Sequence, residues 1–239
     1  MSAIEKFAFL GSLTLAVIVM SQAPPDSGEV EVPDASPDEA VPPAPTPAGP
    51  GTVPASIMVT AASPVGYLRD LTACPGMSTG HAANVDEDLN LTDFKPQVLV
   101  SNKVRLATAP VGAGCYSSAF GMRNGHLHKG VDYYSKVAVP IYAAGAGRIR
   151  KREYRSDYGN MIVIDHGSGV YTRYAHLESF GDVKTGDKVT AGEQIGIMGN
   201  TAGYTVPRHL HYEILTGTWS AQAGSFALTP IDPMAQPAP

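Results

Sequence analysis

The sequence predicts an all-β fold, a domain of antiparallel sheets, and three observations carry that prediction. From about residue 105 the chain breaks into short β-type runs set off by glycine, among them IYAAGAGRI, NMIVIDHG, GVYTRYAHL and HLHYEIL. The runs NMIVID and GVYTRYA are joined by HGSG, a hairpin signal. No stretch shows a convincing amphipathic helical period, so the apolar residues have sheets as their natural partners.

Taken in order, the chain opens with MSAIEKFAFLGSLTLAVIVMSQAPP, in which Lys6 precedes an apolar run of 14 residues from Phe7 to Met20 and small residues follow at Ser21 and Ala23. Residues 1–23 read as an export signal, because the run is shorter than the roughly 20 residues a spanning helix needs. Glu5 beside Lys6, and Pro24 after Ser21-Gln22-Ala23, leave retention as a membrane anchor as the alternative. Residues 24–54 hold ten of the twenty prolines among Ala, Gly, Ser and acidic residues, a composition that cannot bury enough apolar surface to offset ordering. They are expected to be a disordered, extended spacer. Residues 55–104 contain short apolar pieces (IMVT, GYLRDL, PQVLVSN) broken by Pro75-Gly76 and GHAANVDEDLNLTD, and are read as a poorly defined arm or small pre-domain. Such an arm could fold across a site in the domain that follows. Residues 105–239 form the predicted all-β domain.

The net charge of -5 divides unevenly, with -8 on residues 1–104 and +3 on 105–239. The second part is the better candidate for meeting an acidic polymer, but it lacks the basic-aromatic signature of nucleic-acid binding, and no nucleic-acid partner is expected. Two cysteines, Cys74 and Cys115, permit one disulfide in an exported chain.

Six of the seven histidines lie between 126 and 211. On a strand, His209 and His211 share one face about 7 Å apart, while Leu210, Tyr212 and Ile214 face the opposite way, toward a core. In HKGVD, His128 and Asp132 would sit about 13 Å apart on a straight strand, too far for one ion. A helix is disfavoured by Gly130 and by VDYY, so a bent or looped segment remains, with Gly130 supplying the freedom to bend. His176 closes the run YAHL. His126 and His166 read as structural or solvent-facing, and His81 lies outside the domain. By residue type alone, HKGVD is as compatible with an exposed histidine and a turn aspartate, and the other two motifs are more often ordinary surface or core histidines.

The order HxGxD, YAH, HLHxE, together with SSAFGMR, VPIYAAGAGRI, YGNMIVIDHG and VKTGDKVTAGEQIGIMGNTAG, resembles the lysostaphin-type (LytM family) zinc endopeptidases of bacterial peptidoglycan over about residues 110–218. That resemblance implies a compact duplicated-hybrid-motif sheet with an active-site groove. It implies one Zn2+ ion on His128, Asp132 and His211, with His176 and His209 as unliganded catalytic histidines. Glu213, on the same strand face as His211, is read either as an acceptor that orients a ligand or as a simple surface carboxylate. The resemblance further implies peptidoglycan stem peptides and cross-bridges as substrate, a periplasmic or cell-envelope location, and cell-wall hydrolase or division proteins as partners. Two departures stand out. Ala138-Val139-Pro140-Ile141 replaces a Gly-Thr-Pro-Val turn, and Tyr204-Thr205-Val206-Pro207-Arg208 replaces a Ser-Thr-Gly-Pro approach to the last motif. The rival reading within the family is a low-turnover module that activates or recruits another hydrolase. VKTGDKVTAGEQIGIMGN is also similar to the hairpin frame of biotinyl and lipoyl carriers, but its turn Met198-Gly199-Asn200 offers no lysine for attachment.

Overall fold

Alternating burial along single strands organises this molecule. In the computed structural model, residues 68–77, 84–123 and 125–239 are described. The expected export signal, the proline-rich spacer and His81 lie outside the described residues.

The strands are β1 (Gln97–Val100), β2 (Val104–Ala107), β3 (Cys115–Ser118), β4 (Gly121–Arg123), β5 (His126–His128), β6 (Val131–Tyr134), β7 (Pro140–Tyr142), β8 (Gly147–Arg155), β9 (Gly159–Asp165), β10 (Val170–Phe180), β11 (Lys188–Val189), β12 (Gln194–Met198), β13 (His209–Thr216) and β14 (Thr229–Ile231). A single 3-10 turn, Ser225–Ala227, is the only helical element among the described residues. The principal sheet runs β11-β8-β9-β10-β13-β6-β3, with β12 bridging β10 and β7, and β14 flanking β13. β1-β2 and β4-β5 are separate hairpins, and all these strand pairs are antiparallel. The fold is therefore all-β and antiparallel, and the expected hairpin through HGSG is β9-β10.

One face of the central strands builds the main core. Val131 and Tyr133 of β6, Ile162 and Ile164 of β9, Tyr174 of β10, and Leu210, Tyr212 and Ile214 of β13 are all fully buried in one apolar cluster. Buried tyrosines need hydrogen-bond partners. Tyr133 donates to the Thr108 carbonyl at 2.7 Å, and Tyr212 donates to that of Ala107 at 3.1 Å. The opposite face carries a smaller cluster of Met161, Val163, Tyr171, Ala175, Leu215 and Leu228, beside the polar side chains described below.

The boundary expected between residues 104 and 105 falls inside β2. Val98 and Val100 of the β1-β2 hairpin bury in the main core, and so do Leu71, Ala73 and Leu91 from the preceding segment. Leu99 N–H donates to the Pro237 carbonyl, tying the hairpin to the C-terminal segment. Cys74 and Cys115 form a disulfide that joins the 68–77 segment to β3, beside a backbone bridge from Ala73 to Tyr116. The described part of the 55–104 stretch is thus built into the domain. Its apolar pieces are too short to announce themselves, because they bury against a core assembled from later strands.

Gly130 acts differently from the expected role of a flexible bend. A Cβ placed there would lie 2.2 Å from the Tyr212 carbonyl oxygen and 2.9 Å from Glu213 Cγ. The residue is required because the start of β6 runs tightly against β13. Replacing Gly130 with Ala is expected to lower the unfolding free energy by about 1–3 kcal/mol, read as a shift in the urea midpoint at unchanged slope.

Candidate metal centre

Sheet register brings the first two candidate ligands together. Asp132 on β6 and His211 on β13 are directly opposed across the antiparallel pair, and β13 alternates as its sequence requires. His209, His211 and Glu213 point away from the core that receives Leu210, Tyr212 and Ile214. His128 reaches the same spot from the end of β5. The chain leaves that strand, turns at Lys129-Gly130 and enters β6, so the spacing of four is accommodated by a looped break between two strands.

The ligand atoms of His128, Asp132 and His211 all lie within 4.8 Å of one another. His128 Nε2 is 3.1 Å from Asp132 Oδ1 and 3.0 Å from His211 Nδ1, and His211 Nδ1 is 2.9 Å from Asp132 Oδ1. The tautomers follow from the outer partners. His128 Nδ1–H donates to the Ala119 carbonyl at 2.6 Å, leaving a lone pair on Nε2. His211 Nε2–H donates to Glu213 Oε1 at 2.9 Å, which assigns Nδ1 to the centre. Two imidazole nitrogens and a carboxylate oxygen thus converge, and only a positive charge reconciles them.

In the metal-free protein that charge is a proton. Burial alone would lower the His211 pKa, but the hydrogen bonds to Asp132 and Glu213 and their negative charges outweigh it, holding His211 up at about 9. Burial alone would raise Asp132, and its contacts with His128 and His211 outweigh that, keeping its carboxyl well below the usual range. The donor set of two imidazoles and one carboxylate, with outer partners fixing both rings, fits a zinc ion with three protein ligands.

His176 reaches the centre by a local irregularity. Simple alternation along β10 puts Tyr174 in the core and Ala175 on the site face, which would return His176 to the core. Between Tyr174 and Leu177 the strand instead carries one residue more than its partner β9, and His176 takes φ 61°. This bulge turns the imidazole onto the site face. His176 N–H donates to the Tyr158 carbonyl at 2.8 Å, and its Nδ1–H donates to the Thr201 carbonyl at 2.8 Å. His209 Nδ1–H donates to the Pro207 carbonyl at 2.8 Å. The two rings lie 4.5 Å apart between centroids, and His176 lies 6.2 Å from His211. Both are therefore Nδ1–H tautomers with the Nε2 lone pair free to accept a proton. Burial is the main cause that lowers both, to about 4 for His176, so they are neutral at neutral pH.

These side chains line an open cleft of about 1180 Å³, whose walls include Phe120, Met122 and Leu127 around the β4-β5 hairpin and Tyr204, Val206 and Pro207 before β13. The altered Tyr204–Arg208 stretch is thus a cleft wall. The structure brings all five expected site residues together and leaves His126 exposed on β5. His166 is tied to the Ala146 carbonyl and Thr172 Oγ1, outside the cleft, as a structural residue. Sequence reading did not single out Tyr158, Arg173, Thr201 or Ser225. The one available signal was an arginine inside a run of strand formers.

Residues 126–223 match peptidase family M23. They form a peptidase family M23 domain. The M23 match contains all five site residues and Glu213. The chain is 44% identical over 135 residues to the peptidoglycan DD-endopeptidase ShyC of Vibrio cholerae, covering 54% of this chain and 31% of that protein. It is 39% identical over 100 residues to the glycyl-glycine endopeptidase ALE-1 of Staphylococcus capitis, covering 41% and 27%. The catalytic domain of lysostaphin from Staphylococcus simulans is similar at 31% identity and a TM-score of 0.40, covering 52% of this chain and 88% of that one. The chain spans under a third of the length of these two curated relatives.

If zinc is held here, His211 would have to shed its Nδ1 proton to ligate it, so adding zinc to the metal-free chain should release close to one proton at pH 7.5. Above a pH of about 9 the ring is already neutral, and the release should fade. The dependence of calorimetric binding enthalpy on buffer ionisation enthalpy reads this directly.

Proposed function

We propose that this chain is a zinc metalloendopeptidase that hydrolyses peptide cross-links of bacterial peptidoglycan. The observation that carries the reading is the meeting of His128, Asp132 and His211 beside two neutral, acceptor-ready histidines in one open cleft. The names of the relatives, a peptidoglycan DD-endopeptidase and a glycyl-glycine endopeptidase, support the substrate class.

Zinc held by these three residues would supply Lewis acidity, lowering the pKa of water toward about 7 and polarising a carbonyl. The remaining work belongs to the chain. The cleft receives an extended peptide between the β4-β5 hairpin and the 204–207 wall. One of His176 and His209 accepts the proton of the attacking water at Nε2, and that protonated ring returns it to the departing amine. Burial keeps His176 a weak base, so once protonated it is a ready donor to that amine. Holding both Nδ1 atoms on main-chain carbonyls means no ring needs to change tautomer before the transfer.

The sequence of residues 1–54 supports export, with the domain carried at the end of a spacer in the periplasm or cell envelope. Cleavage within residues 1–23 would free it, and retention would tether it to the membrane. Cell-wall hydrolases or division proteins are the partners proposed on the same ground.

His209→Ala should retain zinc while losing at least about a hundred-fold in activity, and His211→Ala should lose both. The measurements are zinc content and mass spectrometry of fragments released from purified sacculi. Zinc bound by the parent chain without fragment release would replace the enzyme reading with that of an activating module.

A further inference from the structure

Behind His211 lies a set of polar groups that the proposed reaction does not use: Glu213, Arg173 and Ser225 are buried, and Tyr158 is half-buried at the cleft wall. Glu213 is fully buried, and its carboxylate accepts three hydrogen bonds. His211 Nε2–H and the Tyr158 hydroxyl reach Oε1, each at 2.9 Å, and Arg173 Nη1 reaches Oε2 at 2.7 Å. Arg173 is itself 1% exposed. Its Nη2 donates to Ser225 Oγ at 2.8 Å, and its guanidinium lies 4.6 Å from the Tyr158 ring centre and 4.3 Å from that of Phe226. Arg173 Nε is buried with no hydrogen-bond partner.

A fully buried arginine–glutamate pair with an orphaned donor is a poor device for stability, since apolar residues of similar volume commonly do as well or better. Its position explains it. Arg173 and Glu213 are cross-strand neighbours on β10 and β13, and Glu213 shares a strand face with His211 two residues away. The carboxylate is the acceptor that commits His211 Nε2 to a proton and so presents Nδ1 to the centre. Left with His211 as its single partner, the carboxylate could rotate. Tyr158 and Arg173 occupy its other lone pairs and fix its plane.

We propose that Tyr158 and Arg173 are positioning residues of the metal centre, which set zinc affinity by holding Glu213 and, through it, the His211 ring. The 219–228 segment belongs to the same device, because Ser225 and Phe226 hold Arg173 from the outside. This inference rests on the metal-site reading above.

The test is zinc affinity of the full-length, metal-free protein, measured by competition with a chromophoric chelator and paired with its melting temperature. Tyr158→Phe keeps the ring against His211 and Phe226 and removes the hydroxyl alone. Its zinc Kd should rise about ten-fold or more with the melting temperature unchanged. Arg173→Met should weaken zinc further, toward about a hundred-fold, and Arg173→Lys should recover part of the loss. Tyr158→Phe binding zinc within two-fold of the parent overturns the proposal, whether or not the Arg173 variants fold. A lowered melting temperature with unchanged Kd does so too, and makes the network structural. A parent chain that binds no zinc defeats the metal-site reading itself, and with it this inference, so the two failures are distinguishable.

Discussion

Three atoms that carry lone pairs, His128 Nε2, His211 Nδ1 and Asp132 Oδ1, meet with separations of 2.9–3.1 Å, and their mutual repulsion is the constraint around which this domain is arranged. A proton on His211 reconciles them in the metal-free protein, and a divalent cation would do so more fully. Everything that brings the three together must resist that repulsion. Strand register provides the resistance, because Asp132 and His211 are held opposite each other by backbone pairing that continues to His209 and Tyr212 on either side. The core under Tyr133, Leu210 and Tyr212 locks that register, since a slip of one residue would turn β13 over and bury the histidines.

Antiparallel pairing also explains how one sheet serves two purposes. Strict alternation sends one set of side chains into the main core and the other to the site, so stability and chemistry occupy opposite faces of the same strands. The exception is His176, whose bulge breaks alternation and brings one more imidazole to the site face. Its left-handed backbone is held by the bonds to the Tyr158 and Thr201 carbonyls. Strain at this position is thus tied to the residues that surround the cleft, as is common where a side chain must be re-aimed.

Below the centre, the site face changes from apolar to ionic. Removing one partner of a buried, hydrogen-bonded charge pair leaves the other uncompensated, a loss of roughly 3–5 kcal/mol in general. The Arg173–Glu213 pair therefore makes the strands beneath His211 intolerant of piecemeal change. It also links the 219–228 segment, which contributes no side chain to the cleft, to the His211 ring.

The sequence by itself determined the all-β class, the hairpin through HGSG, the shared face of His209 and His211, and the need for a break between His128 and Asp132. These depend on side-chain period, turn residues and chain reach, all of which are local. The meeting of the five site residues in one place was legible only through family resemblance, since spacing alone left each motif open to a structural reading. Tertiary structure decided the rest. The 68–104 pieces join the core because strands formed later in the chain supply their apolar partners, and Gly130 is required by the close passage of β13, which HKGVD does not reveal. The bulge at His176 is fixed by pairing with β9, and Arg173 becomes a partner of Glu213 only when β10 and β13 lie side by side, because contacts between residues forty positions apart have no period in the sequence to betray them.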